Sequence, residues 1–319
     1  MKEFVIPDCD SGIRLDKYIS RVLSAAPMSF AYKMLRKKNI VLNDKKAAGS
    51  EILNAGDTVK FYLADDTFDK FTSGNNENSI NKKESLPLPE VIYEDEDVLI
   101  ANKPSGMLTQ RAKKDDVSLN DVCLLYLADK GEYDPGDPAA FTPSVCNRLD
   151  RNTSGLVCFG KTYKGARLLS AAFRERTIHK YYIAVLRGVM EKDLELTGSL
   201  VKDERTNKVS VSDDEKAGSY IRTIVHPIRH NNELTLVEIE LITGKTHQIR
   251  AHMAHIDHPL LGDMKYGDDR LNGKYKKLFG ISSQLLSCTK IVFPADTAFG
   301  KLAGTEVKIP VPDKFIKVM

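Results

Sequence analysis

Apolar and polar residues alternate over 234–242: Val237, Ile239 and Leu241 share one face, Glu238 and Glu240 the other. A period of two describes a strand covered on one side. Residues 156–159, 178–186, 220–225 and 285–293 read as further strands. The apolar runs at 91–93 and 98–101 flank Asp95-Glu96-Asp97, a hairpin signal. Helical spacing predicts a helix over 14–26, with Leu15, Ile19, Val22 and Leu23 on one face and Pro27 as its stop. Ser29 is the expected cap of a second helix running to Arg36 or Lys37. After it come a short strand at 40–42, a polar turn at 43–46, and a strand at 59–63 entered through Gly56-Asp57. Two more helices are predicted over 118–130 and 164–174.

These elements fall into three zones. Residues 11–63 form a small helix-helix-strand unit. Residues 64–86 are rich in Asp, Asn, Ser, Lys and Glu without an apolar period, which reads as a flexible linker. Residues 87–319 form one domain with many strands and few helices between them. That pattern implies an α+β fold with a mostly antiparallel sheet rather than a wound parallel one.

Composition narrows the function classes. The chain has 319 residues with 42% hydrophobic positions, enough for two ordinary cores. No apolar run approaches the roughly 20 residues needed to span a bilayer. The start, Met1-Lys2-Glu3-Phe4, lacks the features of a secretory signal. Five scattered cysteines without a C-x-x-C pair are expected to be reduced thiols in a cytoplasmic protein. A net charge of +3 means that any nucleic-acid footprint is local. Residues 1–63 carry 11 Lys and Arg against 7 Asp and Glu, with Lys33, Arg36, Lys37 and Lys38 clustered at the end of the second helix. Such a cluster is more often a solvated face than a binding surface. No Gly-rich phosphate loop is present, so a nucleotide cofactor has no support.

The candidate chemistry centres on Asp150. It lies between Arg148 and Arg151, and Thr153-Ser154-Gly155 break the chain before the apolar run 156–159. Opposite charge nearby favours an ionised carboxylate, as a nucleophile or base requires. An isolated Asp of this kind would ordinarily belong to a surface loop.

The string Arg148-Leu149-Asp150-Arg151-Asn152-Thr153-Ser154-Gly155-Leu156 resembles the catalytic signature of RluA-type (RluC/RluD-like) RNA pseudouridine synthases. A second string, His179-Lys180-Tyr181-Tyr182 followed by an apolar strand and Gly188, resembles that family's second motif. A third, 241–250, resembles its third motif and continues through His252, His255, His258-Pro259 and Gly262-Asp263. With Lys103-Pro104-Ser105-Gly106 the resemblance covers essentially all of 87–300. Taken singly, Tyr182 would be a packed strand tyrosine and Arg250 a surface residue of a helix whose apolar side is Ile249, Met253 and Ile256. The ordered combination is what points to function. Over 11–63, Arg14-Leu15-Asp16-Lys17-Tyr18-Ile19, Ser29 and the strand at 40–43 resemble the S4 RNA-binding module, although Lys38-Asn39 and Asn43-Asp44 stand where many members carry Gly and Asn-Gly.

The resemblance implies isomerisation of uridine to pseudouridine within RNA, without metal or cofactor. Asp150 would act at the nucleoside, by attacking the ribose carbon, adding to the base or deprotonating the sugar. Arg250 would pair with Asp150 and orient it. Tyr182 would stack on the uracil, its hydroxyl near the C5 proton. Because a paired base is out of reach, it must be flipped out, and Arg148 would fill the vacated stack. Asn147 stands where the family usually has His. Lys180 joins Arg148 as an RNA contact, as do Lys33, Arg36, Lys37 and Lys38 of the first unit. The implied substrate is large-subunit (23S) ribosomal RNA or a large-subunit assembly intermediate, met by a monomer with no membrane partner. A tRNA substrate is the first alternative, and a non-catalytic RNA-binding or ribosome-assembly factor of the same fold is the second. A glycoside or nucleoside hydrolase is weaker, since no paired carboxylates stand out. The histidines at 247, 252, 255 and 258 invite a metal site, but no Cys, Asp or Glu completes a zinc set.

Overall fold

The computed structural model describes residues 1–72, 87–113, 115–203, 208–214 and 216–319. The smaller unit contains β1 (Lys2–Val5), α1 (Leu15–Val22), α2 (Met28–Arg36), β2 (Ile40–Leu42), β3 (Lys45–Lys46), β4 (Thr58–Phe61) and α3 (Asp65–Thr72). Its antiparallel sheet has the order β1-β4-β2-β3. Leu15, Tyr18, Ile19 and Val22 form the buried stripe of α1 and pack with Leu35, Ile40, Val59 and Phe61.

Several expectations are corrected here. The first helix stops at Val22, four residues early, because the Ala25 amide turns away to donate to the Phe71 carbonyl of α3. Helix α2 begins at Met28 after Pro27 without a side-chain cap, so Ser29 lies inside its first turn. The polar stretch expected as linker from 64 opens with α3. Phe68 of α3 is buried in the unit's core, and Phe71 packs on Phe30 at 4.6 Å between ring centroids. The bounds 11 and 63 thus omit β1 and α3, which belong to this packed unit. The remainder of the expected linker, 73–86, lies outside the described residues.

The larger unit contains β5 (Glu90–Glu94), β6 (Val98–Lys103), α4 (Leu119–Asp129), β7 (Ser144–Val145), β8 (Ser154–Gly160), α5 (Tyr163–Glu175) and β9 (His179–Arg187). It continues through β10 (Leu194–Asp203), β11 (Lys208–Ser212), β12 (Ser219–His230), β13 (Leu234–Leu241), α6 (Gln248–His255), α7 (Asp269–Phe279), β14 (Leu286–Val292), β15 (Glu306–Lys308) and α8 (Asp313–Lys317). Its sheet runs β11-β10-β12-β13-β9-β14-β8-β6-β5, with β15 added to β14 and β7 to β8. All pairs are antiparallel except β14 with β8, so the α+β expectation holds.

That single parallel contact positions the site. Strand β8 starts beside β14 with Gly155 opposite Cys288, and a Cβ at Gly155 would lie 2.2 Å from the Cys288 carbonyl oxygen. Its φ of +113° adds a second reason for glycine. The loop carrying Asp150 is therefore drawn tight against the middle of the sheet, where β9 also pairs with β14. Val237 and Ile239 are buried as the alternation predicts, while Glu238 and Glu240 reach Lys290 and His179 on the other face. Among the described residues no helix is long and apolar enough to cross a membrane.

Candidate active site

The loop before β8 is built from behind. Thr109 is buried and clamps Leu149 twice, its Oγ1 donating to the Leu149 carbonyl at 2.8 Å and accepting the Leu149 amide at 3.1 Å. Lys103, fully buried at the end of β6, donates from Nζ to the carbonyls of Pro104, Met107 and Arg151 at 3.1, 2.7 and 3.0 Å. The Thr153 amide closes the turn on the Asp150 carbonyl at 3.0 Å. These bonds fix both neighbours of Asp150, leaving its side chain about a quarter exposed at the wall of a cavity of about 390 Å³.

Helix α6 supplies the opposite wall. Its apolar residues Ile249 and Met253 anchor it in the main core, and this turns Arg250 inward, where it is buried. Arg250 Nη1 donates to Asp150 Oδ2 at 2.9 Å. The same guanidinium donates from Nε and Nη2 to both oxygens of the fully buried Asp263, at 2.7 and 2.9 Å. It also lies 5.1 Å from the centroid of the Tyr266 ring. Burial opposes the charge of Arg250, but Asp263 first and Asp150 second outweigh it and raise its pKa further.

Tyr182 and Lys180, two apart on β9, both line the cavity. Tyr182 is buried, and burial, with Cys288 beside it, raises its phenol well above 10. Burial lowers the Lys180 ammonium, which lies 5.6 Å from the Phe173 ring centroid. Arg148 is exposed at the cavity wall. Sequence reading thus nominated five residues, Asp150, Tyr182, Arg250, Arg148 and Lys180, that converge on one cavity. Arg151 points its interactions elsewhere, through its carbonyl, and Asp150 takes Arg250 as its ion-pair partner.

Lys33, Arg36, Lys37 and Lys38 do not join this cavity. They are exposed on α2 and the turn after it, and Arg36 borders a separate hollow of about 660 Å³ with Ser29, Tyr32, Lys46 and Glu51.

Sequence reading missed Arg176 and Lys245, two exposed cations that also line the cavity. Lys245 lies inside the third motif and Arg176 just before the second, which was the available signal. His247, weighed in the sequence only as a metal ligand, places its Nε2 3.7 Å from Asp150 Oδ2. The histidines do not gather: His252 meets Thr223, His255 meets Asp213, and His258 meets the Arg187 carbonyl. Among the described residues no group of His, Cys, Asp and Glu is arranged to hold a metal.

Residues 97–255 match the family model described as RNA pseudouridylate synthase. The chain is 32% identical over 303 residues to the ribosomal large subunit pseudouridine synthase C of Rickettsia bellii, covering 93% of this chain and 94% of that protein. It is 30% identical over 306 residues to the protein of the same name from Vibrio cholerae, covering 91% and 88%. Among solved structures it is similar to human RNA Pseudouridylate Synthase Domain Containing 4, with a TM-score of 0.54 at 21% identity, covering 71% of this chain and 90% of that one. At that identity the likeness concerns the fold.

Proposed function

The chain belongs to the RNA pseudouridylate synthase family, and from that premise we propose that it isomerises uridines of large-subunit ribosomal RNA to pseudouridine, with Asp150 as the reacting group. The observation that carries this reading is the 2.9 Å contact between Asp150 and Arg250, which joins the first and third motifs at one cavity lined also by Tyr182 of the second. The relatives named as large-subunit enzymes, matched over nearly their whole length, support the choice of ribosomal RNA.

In the reaction the N1 glycosidic bond breaks, the uracil turns, C5 bonds to the same ribose carbon and gives up its proton, and N1, freed from the sugar, takes one up. Atoms balance without a cofactor. A carboxylate begins each of the available routes, and the Arg250 clamp holds that carboxylate in one orientation. Tyr182 forms the wall against which uracil stacks. Its raised pKa keeps the phenol protonated, so it can take the C5 proton only while passing its own on. Arg148, Arg176, Lys180 and Lys245 surround the cavity with positive charge, suited to the phosphates on either side of a flipped nucleotide. The small unit, as an S4-like module, would hold the surrounding RNA through Lys33, Arg36, Lys37 and Lys38. We assign the protein to the cytoplasm as a monomer.

Sequencing-based mapping of pseudouridine in cells with and without the gene tests the proposal. Loss of one or a few sites in large-subunit RNA is expected, restored by the wild-type chain and not by Asp150→Asn. Loss confined to tRNA would overturn the substrate, and no lost site would overturn the activity.

A further inference from the structure

Both groups that address the Asp150 carboxylate meet the same atom. Arg250 Nη1 lies 2.9 Å and His247 Nε2 3.7 Å from Oδ2, and no described residue makes a hydrogen bond or ion pair with Oδ1. His247 is not placed casually. It precedes α6 in the left-handed region, with φ of 55°, and its Nδ1 lies 3.0 Å from the Tyr266 hydroxyl. That hydroxyl already accepts the Val209 amide at 3.1 Å. Among the described residues it has no acceptor for its own proton other than His247 Nδ1.

We propose that His247 is a positioning residue for Asp150: Tyr266 donates to Nδ1, which fixes the tautomer protonated at Nε2 and aims that N–H at Oδ2, so that Oδ1 is left as the reacting oxygen. This rests on the assignment of Asp150 as the reacting group. At 3.7 Å the N–H is beyond hydrogen-bond length. It acts here as an oriented dipole.

Electrostatics suit a neutral donor. Asp150, Asp263, Arg250 and Lys265 all face the ring, and burial lowers its pKa below 6.5. The imidazole is therefore uncharged at neutral pH. A second full cation on Oδ2 would hold the carboxylate more tightly and blunt its attack. A neutral N–H orients it without that cost.

The test uses the full-length chain with ¹⁵N-labelled histidine. Long-range proton–nitrogen spectra should show His247 protonated at Nε2 at neutral pH, and Tyr266→Phe should shift its population toward the Nδ1-protonated form. In turnover assays, His247→Asn keeps a side chain that tolerates positive φ but removes the distal nitrogen. It should lower kcat about tenfold with KM nearly unchanged, which corresponds to about 1.4 kcal/mol of lost transition-state stabilisation. His247→Gln places an amide N–H near the Nε2 position and should recover most of that loss. Unfolding midpoints and RNA affinity identify any variant whose loss is structural, and the spectra of the wild-type chain then still decide the tautomer. Wild-type kcat in His247→Asn, or a ring protonated at Nδ1, overturns the proposal. Asp150→Asn is the control: its activity would sink the underlying assignment, whereas an inactive Asp150→Asn beside an unaffected His247→Asn sinks only the role of His247.

Discussion

Arg250 grips Asp263 through two parallel hydrogen bonds, Nε to Oδ2 at 2.7 Å and Nη2 to Oδ1 at 2.9 Å, and presents Nη1 to Asp150. Asp263 in turn accepts the backbone amides of Lys265 and Tyr266 at 2.9 and 3.1 Å. The ion pair that orients Asp150 is thus the outer half of a buried one.

Removing the inner half should cost both stability and turnover. Asp263→Ala strands a buried guanidinium and should lower unfolding free energy by about 3–5 kcal/mol near neutral pH. Burial opposes the Asp263 charge, yet Arg250 and the two amides win and hold its carboxyl below the ordinary 3.8. A depressed carboxylate stabilises above its unfolded pKa and loses that contribution as pH falls through the folded value. Urea unfolding should therefore show the gap between wild type and variant closing in acid. A gap below about 1 kcal/mol, or one independent of pH, would refute the pairing as a structural anchor.

The reach of the sequence follows from what each residue reports locally. Asp150, Tyr182 and Arg250 were legible because each stands in a string of fixed polarity around a strand or helix. Asp263 was quoted within such a string, but its partnership with Arg250 depends on how α6 turns its inner face, which spacing does not encode. Lys103 reads as an ordinary charged end of a strand; only the folded loop shows three carbonyls converging on it. Helix α3 was hidden because Phe68 and Phe71 are its two large apolar residues in a polar segment. Strands β10 and β11 do alternate, at Leu194, Leu196 and Leu200 and at Val209 and Val211, but Gly198 interrupts the first run and the second is five residues long, so both are plainest through pairing with their neighbours.

Lys103 gives a second pH signature of the same sense but at the alkaline end: stability again rises with pH. Burial lowers its ammonium from 10.5 to about 8, with Asp150 pulling weakly the other way. Below that value the lysine is charged in both states, and its burial cost is fully present. Above it, the folded chain releases a proton that the unfolded chain keeps up to 10.5, so stability climbs. Relative to Lys103→Met, which cannot titrate, the wild type should gain about 2 kcal/mol between roughly pH 8 and 9.5. Paired urea titrations across that interval measure it, and a constant difference would mean that the buried amine keeps an ordinary pKa.

Tyr182 separates stacking from proton handling. Tyr182→Phe retains the ring against which a base can lie, whereas Tyr182→Ala removes a contact worth about 1–3 kcal/mol. Tritium released from C5-labelled RNA should fall further in Tyr182→Ala than in Tyr182→Phe, and RNA affinity should weaken only in the former. Equal, wild-type release from both variants would make Tyr182 a packing residue of β9.

The cluster on α2 tests whether the small unit holds RNA. Lys33, Arg36, Lys37 and Lys38 are exposed and are not among the residues lining the cavity, so replacing all four with Gln should leave fold and chemical step intact. Each one that neutralises a phosphate releases counterions, which contributes roughly 0.7–0.9 to the slope of log affinity against log salt. A variant that binds long RNA more weakly, with a slope shallower by about that amount per lost contact, fits a phosphate-tracking surface. Turnover on a short RNA that spans only the cavity should then match wild type, because Arg148, Arg176, Lys180 and Lys245 remain. An unchanged slope would leave the four residues as a solvated helix end, and the recognition of long RNA would have to come from the cavity rim alone.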